Sequence, residues 1–166
     1  MKRTTTNKMI EALTRIPVDL DTESLMKRVH VRPRSDDATT FEQLVIRARD
    51  VAKPKVLLSE SFVEARGKDT VQIGGITFTS LVLRANLKKA ERVFPYVATC
   101  GHELDEVSLP KDEFLAKFWW DTIKADVLGC AISHLHDHLQ RRFLLFRGAC
   151  EVFYKRRQVL IYLAGK

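Results

Sequence analysis

The residues with the most chemical potential lie in one short run, Thr99-Cys100-Gly101-His102-Glu103-Leu104-Asp105-Glu106. It offers a hydroxyl, a thiol, an imidazole and three carboxylates around a glycine. A thiolate at Cys100 would be favoured beside a helix N-terminus and could act as a nucleophile. The one neighbouring base is His102, and residues so close in sequence rarely form a nucleophile–base pair. A small residue at a tight turn is the commoner role for such a cysteine. Glu103, Asp105 and Glu106 could act as general acids or bases, although carboxylates in a first helical turn more often answer the helix dipole. A third use is a ligand edge, because a strand, a glycine turn and a helix start often face a bound molecule. The candidate ligand-binding residues are Thr99, Gly101 and Glu103.

A second constellation is Ser133-His134-Leu135-His136-Asp137-His138. On a strand the three histidines would share a face and could hold zinc. On a helix only His134 and His138, four apart, share one. The helical period is strong here, so the expected role is a polar helix face without metal.

These residues need elements to position them. Val93 to Val97 is short, β-branched and aromatic, which predicts a buried strand leading into the Gly101 turn. An acidic helix start should follow. From about Asp112 to Phe143 one long helix is expected, with Phe114, Phe118, Asp121, Ala125, Leu128, Ile132, Leu135 and Leu139 facing the core at steps of three or four. Lys111, Lys117, Lys124, Arg141 and Arg142 fall largely on the other side. Gly129, Cys130 and Ala131 form a small-residue patch suited to tight helix packing or close approach of a ligand.

Upstream, Lys8 to Thr14 reads as a short helix stopped before Pro17. Asp21-Thr22-Glu23-Ser24 starts another that runs to about Val29. Thr39 or Thr40 should cap a third, with Leu44, Val45, Ala48 and Val51 towards the core and Pro54 ending it. Val56 to about Ala65 and Thr70 to Ile73 form a hairpin around Gly67-Lys68-Asp69. Gly74-Gly75 breaks the pattern, Ile76 to Phe78 is extended, and Ser80 to Lys89 is helical. The expected class is α+β, with an antiparallel or mixed sheet beside helices that include one long C-terminal helix.

The stretch from Phe94 to about Phe143 resembles the activation domain of cobalamin-dependent methionine synthase, and especially the stand-alone proteins that carry that domain. In that family an apolar strand ends in an Ala-Thr-x-Gly-x-Glu-Leu type of motif, and a long helix with a small-residue centre follows. Here the motif is Ala98-Thr99-Cys100-Gly101-His102-Glu103-Leu104. The resemblance implies one activation-type domain over residues 1–166. It implies S-adenosylmethionine as cofactor, cobalamin on the partner protein, docking on a corrinoid-binding protein or methyltransferase, and a flavodoxin-like electron donor. The function so implied is reductive activation of the corrinoid.

Family members continue past the long helix into a Ser-Pro-Gly or Arg-x-x-x-Gly-Tyr loop, and they tend to carry an acidic residue near the place of Ser133. This chain has no proline after Pro110, and its later glycines are Gly129, Gly148 and Gly165. The departure implies a domain incomplete at its C-terminus and weak or lost cofactor binding. It keeps open an interaction module without cofactor, or a truncated member with an out-of-register tail. A tail native to the fold would pair Val159–Leu163 with the sheet, bury Phe153, Leu160 and Tyr162, and make Leu144–Phe146 a further strand.

Composition agrees with one folded domain: 45% hydrophobic and 30% charged residues over 166 positions suffice for a core without disulfides. No apolar run reaches the roughly 20 residues of a membrane span, and the basic N-terminus lacks the apolar stretch of a signal peptide. Three widely spaced cysteines suit reduced thiols in the cytoplasm. The net charge of +7 is scattered, densest at Lys155-Arg156-Arg157. A nucleic-acid footprint would need a concentrated stripe, so no nucleic-acid partner and no membrane partner are expected. A basic surface could instead steer an acidic protein.

Overall fold

The computed structural model describes residues 10–109 and 114–143, together with the backbone of two strands at 151–154 and 159–163. The order is β1 (Ile10–Leu13), α1 (Thr22–Arg28), α2 (Asp36–Val51), β2 (Lys55–Ser59), β3 (Ser61–Arg66), β4 (Thr70–Ile73), β5 (Ile76–Thr79), α3 (Leu81–Asn86), β6 (Arg92–Thr99), a 3-10 turn (His102–Leu104), α4 (Phe114–Phe143), β7 (Glu151–Tyr154) and β8 (Val159–Leu163). The class is α+β, as the sequence predicts. No helix among the described residues is long and apolar enough to cross a membrane.

The chain divides into two compact units, neither of them contiguous. One comprises residues 1–12, 57–97 and 138–166; the other comprises 13–56 and 98–137. The first holds the sheet, ordered β1-β2-β6-β3-β4-β5, with β8 on β6 and β7 on β8. Val56 to Ala65 is thus two strands rather than one. The chain breaks at Glu60, and β6 takes the place between the two halves. β3 and β4 form the expected hairpin, with an irregularity between Val63 and Ala65. Gly74 and Gly75, at φ 53° and 78°, make a two-residue turn that joins β4 to β5. Val71, Ile73, Leu83, Leu87, Ala90 and Val93 form a core of this unit. Arg66 closes it by donating to the carbonyls of Leu87, at 3.1 Å, and Ala90.

β8 pairs antiparallel with β6, placing Val93 opposite Leu163 and Tyr96 opposite Leu160. The expectation that Val159–Leu163 joins the sheet therefore holds. The expected strand at Leu144–Phe146, the side chains of Phe153, Leu160 and Tyr162, and the Lys155-Arg156-Arg157 cluster lie outside what is described.

The second unit packs α1, α2 and α4 around Leu20, Leu25, Phe41, Val45, Ala48, Leu104, Trp119, Trp120, Ile123 and Val127. Asp21 caps α1, its carboxylate accepting from the Ser24 N–H at 3.2 Å. Two further expectations fail in the N-terminal half. Ile10–Leu13 is a strand rather than part of a helix. The α2 cap is Ser35 rather than Thr39 or Thr40: the Ser35 hydroxyl accepts from Ala38 N–H at 3.2 Å and donates to Arg32 C=O at 2.7 Å. Starting a turn earlier brings Ala38 and Phe41 into the core beside Val45 and Ala48, while Leu44 and Val51 are only half-buried.

The long helix is present, but its buried face is not the expected one. Ala116, Trp119, Trp120, Ile123, Val127, Ala131, Leu135 and Leu139 are buried, whereas Phe114 and Phe118 are 86% and 51% exposed. Asp121 and Ala125 are exposed as well. The two stripes coincide only at Leu135 and Leu139. Gly129 is exposed, and among the described residues a Cβ there would meet nothing within 4 Å, so it makes no tight helix contact with them.

Candidate functional site

β6 runs on to Thr99, and the chain then turns at Gly101, whose φ of 98° lies where side chains are disfavoured. The Thr99 hydroxyl accepts from Gly101 N–H at 3.1 Å and holds the turn. A Cβ at 101 would lie 2.9 Å from both the nitrogen and the oxygen of Lys53. Glycine is therefore required twice, by conformation and by close approach of main chain.

The expected acidic helix start is only a single 3-10 turn, His102–Leu104, too short to carry much of a dipole. The carboxylates there have individual partners instead. Asp105 pairs with Lys124 at 2.5 Å, which raises the Lys124 pKa. Glu106 lies 3.6 Å from His102. Glu103 has Lys53 at 3.7 Å from Oε1 and His102 at 3.4 Å from Oε2. Its pKa is lowered, first by its own backbone N–H and then by the positive potential of His102, Lys53 and Lys55. Oε2 is buried and accepts no hydrogen bond among the described residues.

Glu103 forms part of the wall of a groove of about 900 Å3 in this unit. The opposite wall is α2, which contributes Thr40, Gln43, Arg47 and Asp50, and Lys53 follows. Leu44 and Val51 of α2, with Glu106, Val107, Ser108, Leu109 and Ala116, complete the lining. Of the three candidate ligand residues only Glu103 lines the groove; Thr99 and Gly101 shape the turn that presents it. Arg47, Asp50 and Lys53 are additions from the structure. Thr40, Gln43, Arg47 and Asp50 recur at steps of three or four, a polar stripe legible in the sequence as the second face of α2.

Cys100 is half-buried against the core of this unit, and burial raises its pKa. That removes the thiolate a nucleophile would need. Burial likewise raises Cys130, whose thiol donates to Asp19 C=O at 3.3 Å. Ser133 lies with Gly129, Cys130, His134 and Asp137 in a separate depression of about 450 Å3, together with Asp19 and Asp126. His138 instead faces Glu11 at 3.1 Å. No group of three or more metal-ligating side chains with a geometry fit for a metal ion occurs among the described residues. No protein-family model and no curated protein matches the chain.

Proposed function

We propose that this chain is a cytoplasmic accessory protein of cobalamin-dependent methyl transfer, one that holds S-adenosylmethionine in the groove walled by Glu103 and α2 and docks on a corrinoid protein during its reductive activation. The observation that carries the reading is Glu103 on the groove wall, a carboxylate whose lowered pKa keeps it charged and which Lys53 and His102 meet only at 3.7 and 3.4 Å. A carboxylate paired so loosely keeps acceptor capacity for a donor on a ligand.

The groove's charges suit that ligand, which carries an ammonium, a sulfonium and a carboxylate. Glu103, Asp50 and Glu106 provide negative potential for the cations, and the Arg47 guanidinium can take the carboxylate as a fork. When bound, S-adenosylmethionine supplies a methyl group and leaves as a neutral thioether, which needs no proton. That agrees with a site in which no nucleophile–base pair is assembled. The work of these side chains is to orient the ligand and keep its charges paired. The electron comes from a separate donor, for which an acidic flavodoxin-like protein suits a basic chain.

The second reading, an interaction module without cofactor, is favoured by the exposed apolar start of α4 at Phe114, Leu115 and Phe118. Titration calorimetry with S-adenosylmethionine separates the two. The expected result is binding weaker than about 1 μM, below roughly 8 kcal/mol, that Glu103→Gln and Arg47→Ala each weaken further. No heat at millimolar ligand, or binding indifferent to both substitutions, overturns the cofactor reading and leaves the module.

A further inference from the structure

We propose that the loop joining α1 to α2 is a docking surface for an acidic protein face, one that presents clustered carboxylates. Lys27, Arg28, His30, Arg32 and Arg34 follow closely on one another, and no acidic residue stands between Glu23 and Asp36. All five side chains are exposed. Arg28 pairs with Asp126 at 2.5 Å. Lys27, Arg32 and Arg34 have no ion pair among the described residues.

The backbone presents two of these side chains against its own preference. His30 and Arg34 have φ of 57° and 65°, a region in which glycine alone is at ease. His30 ends α1: its N–H bonds to Lys27 C=O at 3.3 Å, and that of Val31 to Met26 C=O at 2.9 Å. Glycine is the usual residue at such a helix end. Val31 is buried in the core of this unit and anchors the loop. A cationic residue held in a disfavoured conformation argues that its side chain is used.

Charge and composition choose the occupant. An arginine fork matches a carboxylate or a phosphate. Residues 24–35 contain no Phe, Tyr or Trp on which a base could stack. Asp36 and Asp37 follow at once in the first turn of α2, where a phosphate backbone running past the loop would be repelled. No large apolar side chain is exposed along 24–35 to enter a lipid surface. A folded protein can set carboxylates over the loop and cations over the two aspartates. The electron donor proposed above is a protein of this kind, and that identity alone rests on the groove reading.

Fluorescence anisotropy of labelled oligoglutamate, titrated with the full chain at low salt, tests this, with oligothymidylate run in parallel. Arg32→Glu with Arg34→Glu should weaken oligoglutamate binding at least about tenfold. Lys88→Glu with Lys89→Glu makes the same change in net charge on exposed residues of the other unit, and should weaken it by no more than about twofold. Arg34→Gly should bind more weakly than wild type yet unfold no earlier, since glycine suits a φ of 65°. If circular dichroism shows that the glutamate pair has not folded, Arg34→Gly decides. No binding, equal losses from the two charge reversals, wild-type binding by Arg34→Gly, or tighter binding of oligothymidylate each overturns the proposal. No S-adenosylmethionine enters the measurement, so failure here leaves the groove reading standing.

Discussion

Gly101 sits so close to the main chain of Lys53 that a methyl group on its Cα would lie 2.9 Å from two backbone atoms. The positive φ alone makes Gly101→Ala cost about 1–3 kcal/mol, and the clash falls on backbone that cannot rotate aside. Gly101→Val should cost at least as much. Urea unfolding should show a lower midpoint for both, and an unchanged midpoint would mean that the turn tolerates side chains.

Glu103 gives the fold a pH dependence of known sign. Its folded pKa lies below the unfolded one, so the fold favours the charged carboxylate. That contribution is complete above the unfolded carboxylate range, about pH 4.3, and is lost as pH falls through the lowered folded value. Wild type should therefore be more stable than Glu103→Gln at neutral pH, and the gap should close on acidification. Parallel stability curves across that range would contradict the assignment.

Trp119 and Trp120 are adjacent and equally buried but differently partnered. Trp120 Nε1–H donates to Leu104 C=O at 3.0 Å. Trp119 Nε1–H is buried with no acceptor among the described residues, and its ring meets Phe41 edge-on at 5.7 Å. Trp120→Phe should cost about 1–3 kcal/mol more than Trp119→Phe, because it strands a buried carbonyl while the other removes an unsatisfied donor. Thermal or urea unfolding of the two variants reads the difference directly; equal losses would refute it.

Deleting residues 147–166 removes β8 from its pairing with β6 at Val93–Tyr96. The shortened chain should lose cooperative unfolding or precipitate, since β6 then exposes a row of unpaired backbone groups. If it stays as soluble and as stable as the full chain, β8 contributes nothing to the fold.

Much of the architecture was legible, because hairpin glycines, the Asp21 cap and the β6 run are local signals. The phase of α4 was not. Phe114-Phe118-Asp121-Ala125 and Trp119-Trp120-Ile123-Val127 both recur at helical spacing, and periodicity cannot choose between them. Asp121, the one charged member of the first set, was the available clue. β1 was misread because four residues satisfy a helical or an extended pattern equally, and sheet partners decide. At the site, Glu103 was visible as part of a motif, whereas Arg47 and Lys53 reach the groove only through the packing of α2 against the 3-10 turn.

The two compact units interleave along the chain, and this constrains how the protein can be made. Residues 13–56 must wait for 98–137 before their unit can close, with 57–97 looped out between them. The other unit in turn awaits residues beyond 138. Vectorial folding, one finished unit at a time as the chain leaves the ribosome, is thus not open to this sequence. Closing the roughly 40-residue loop carries an entropic cost that grows only logarithmically with its length, so the burden falls on timing more than on stability. During synthesis the core that α2 shares with α1 stays incomplete until Trp119 and Trp120 have emerged.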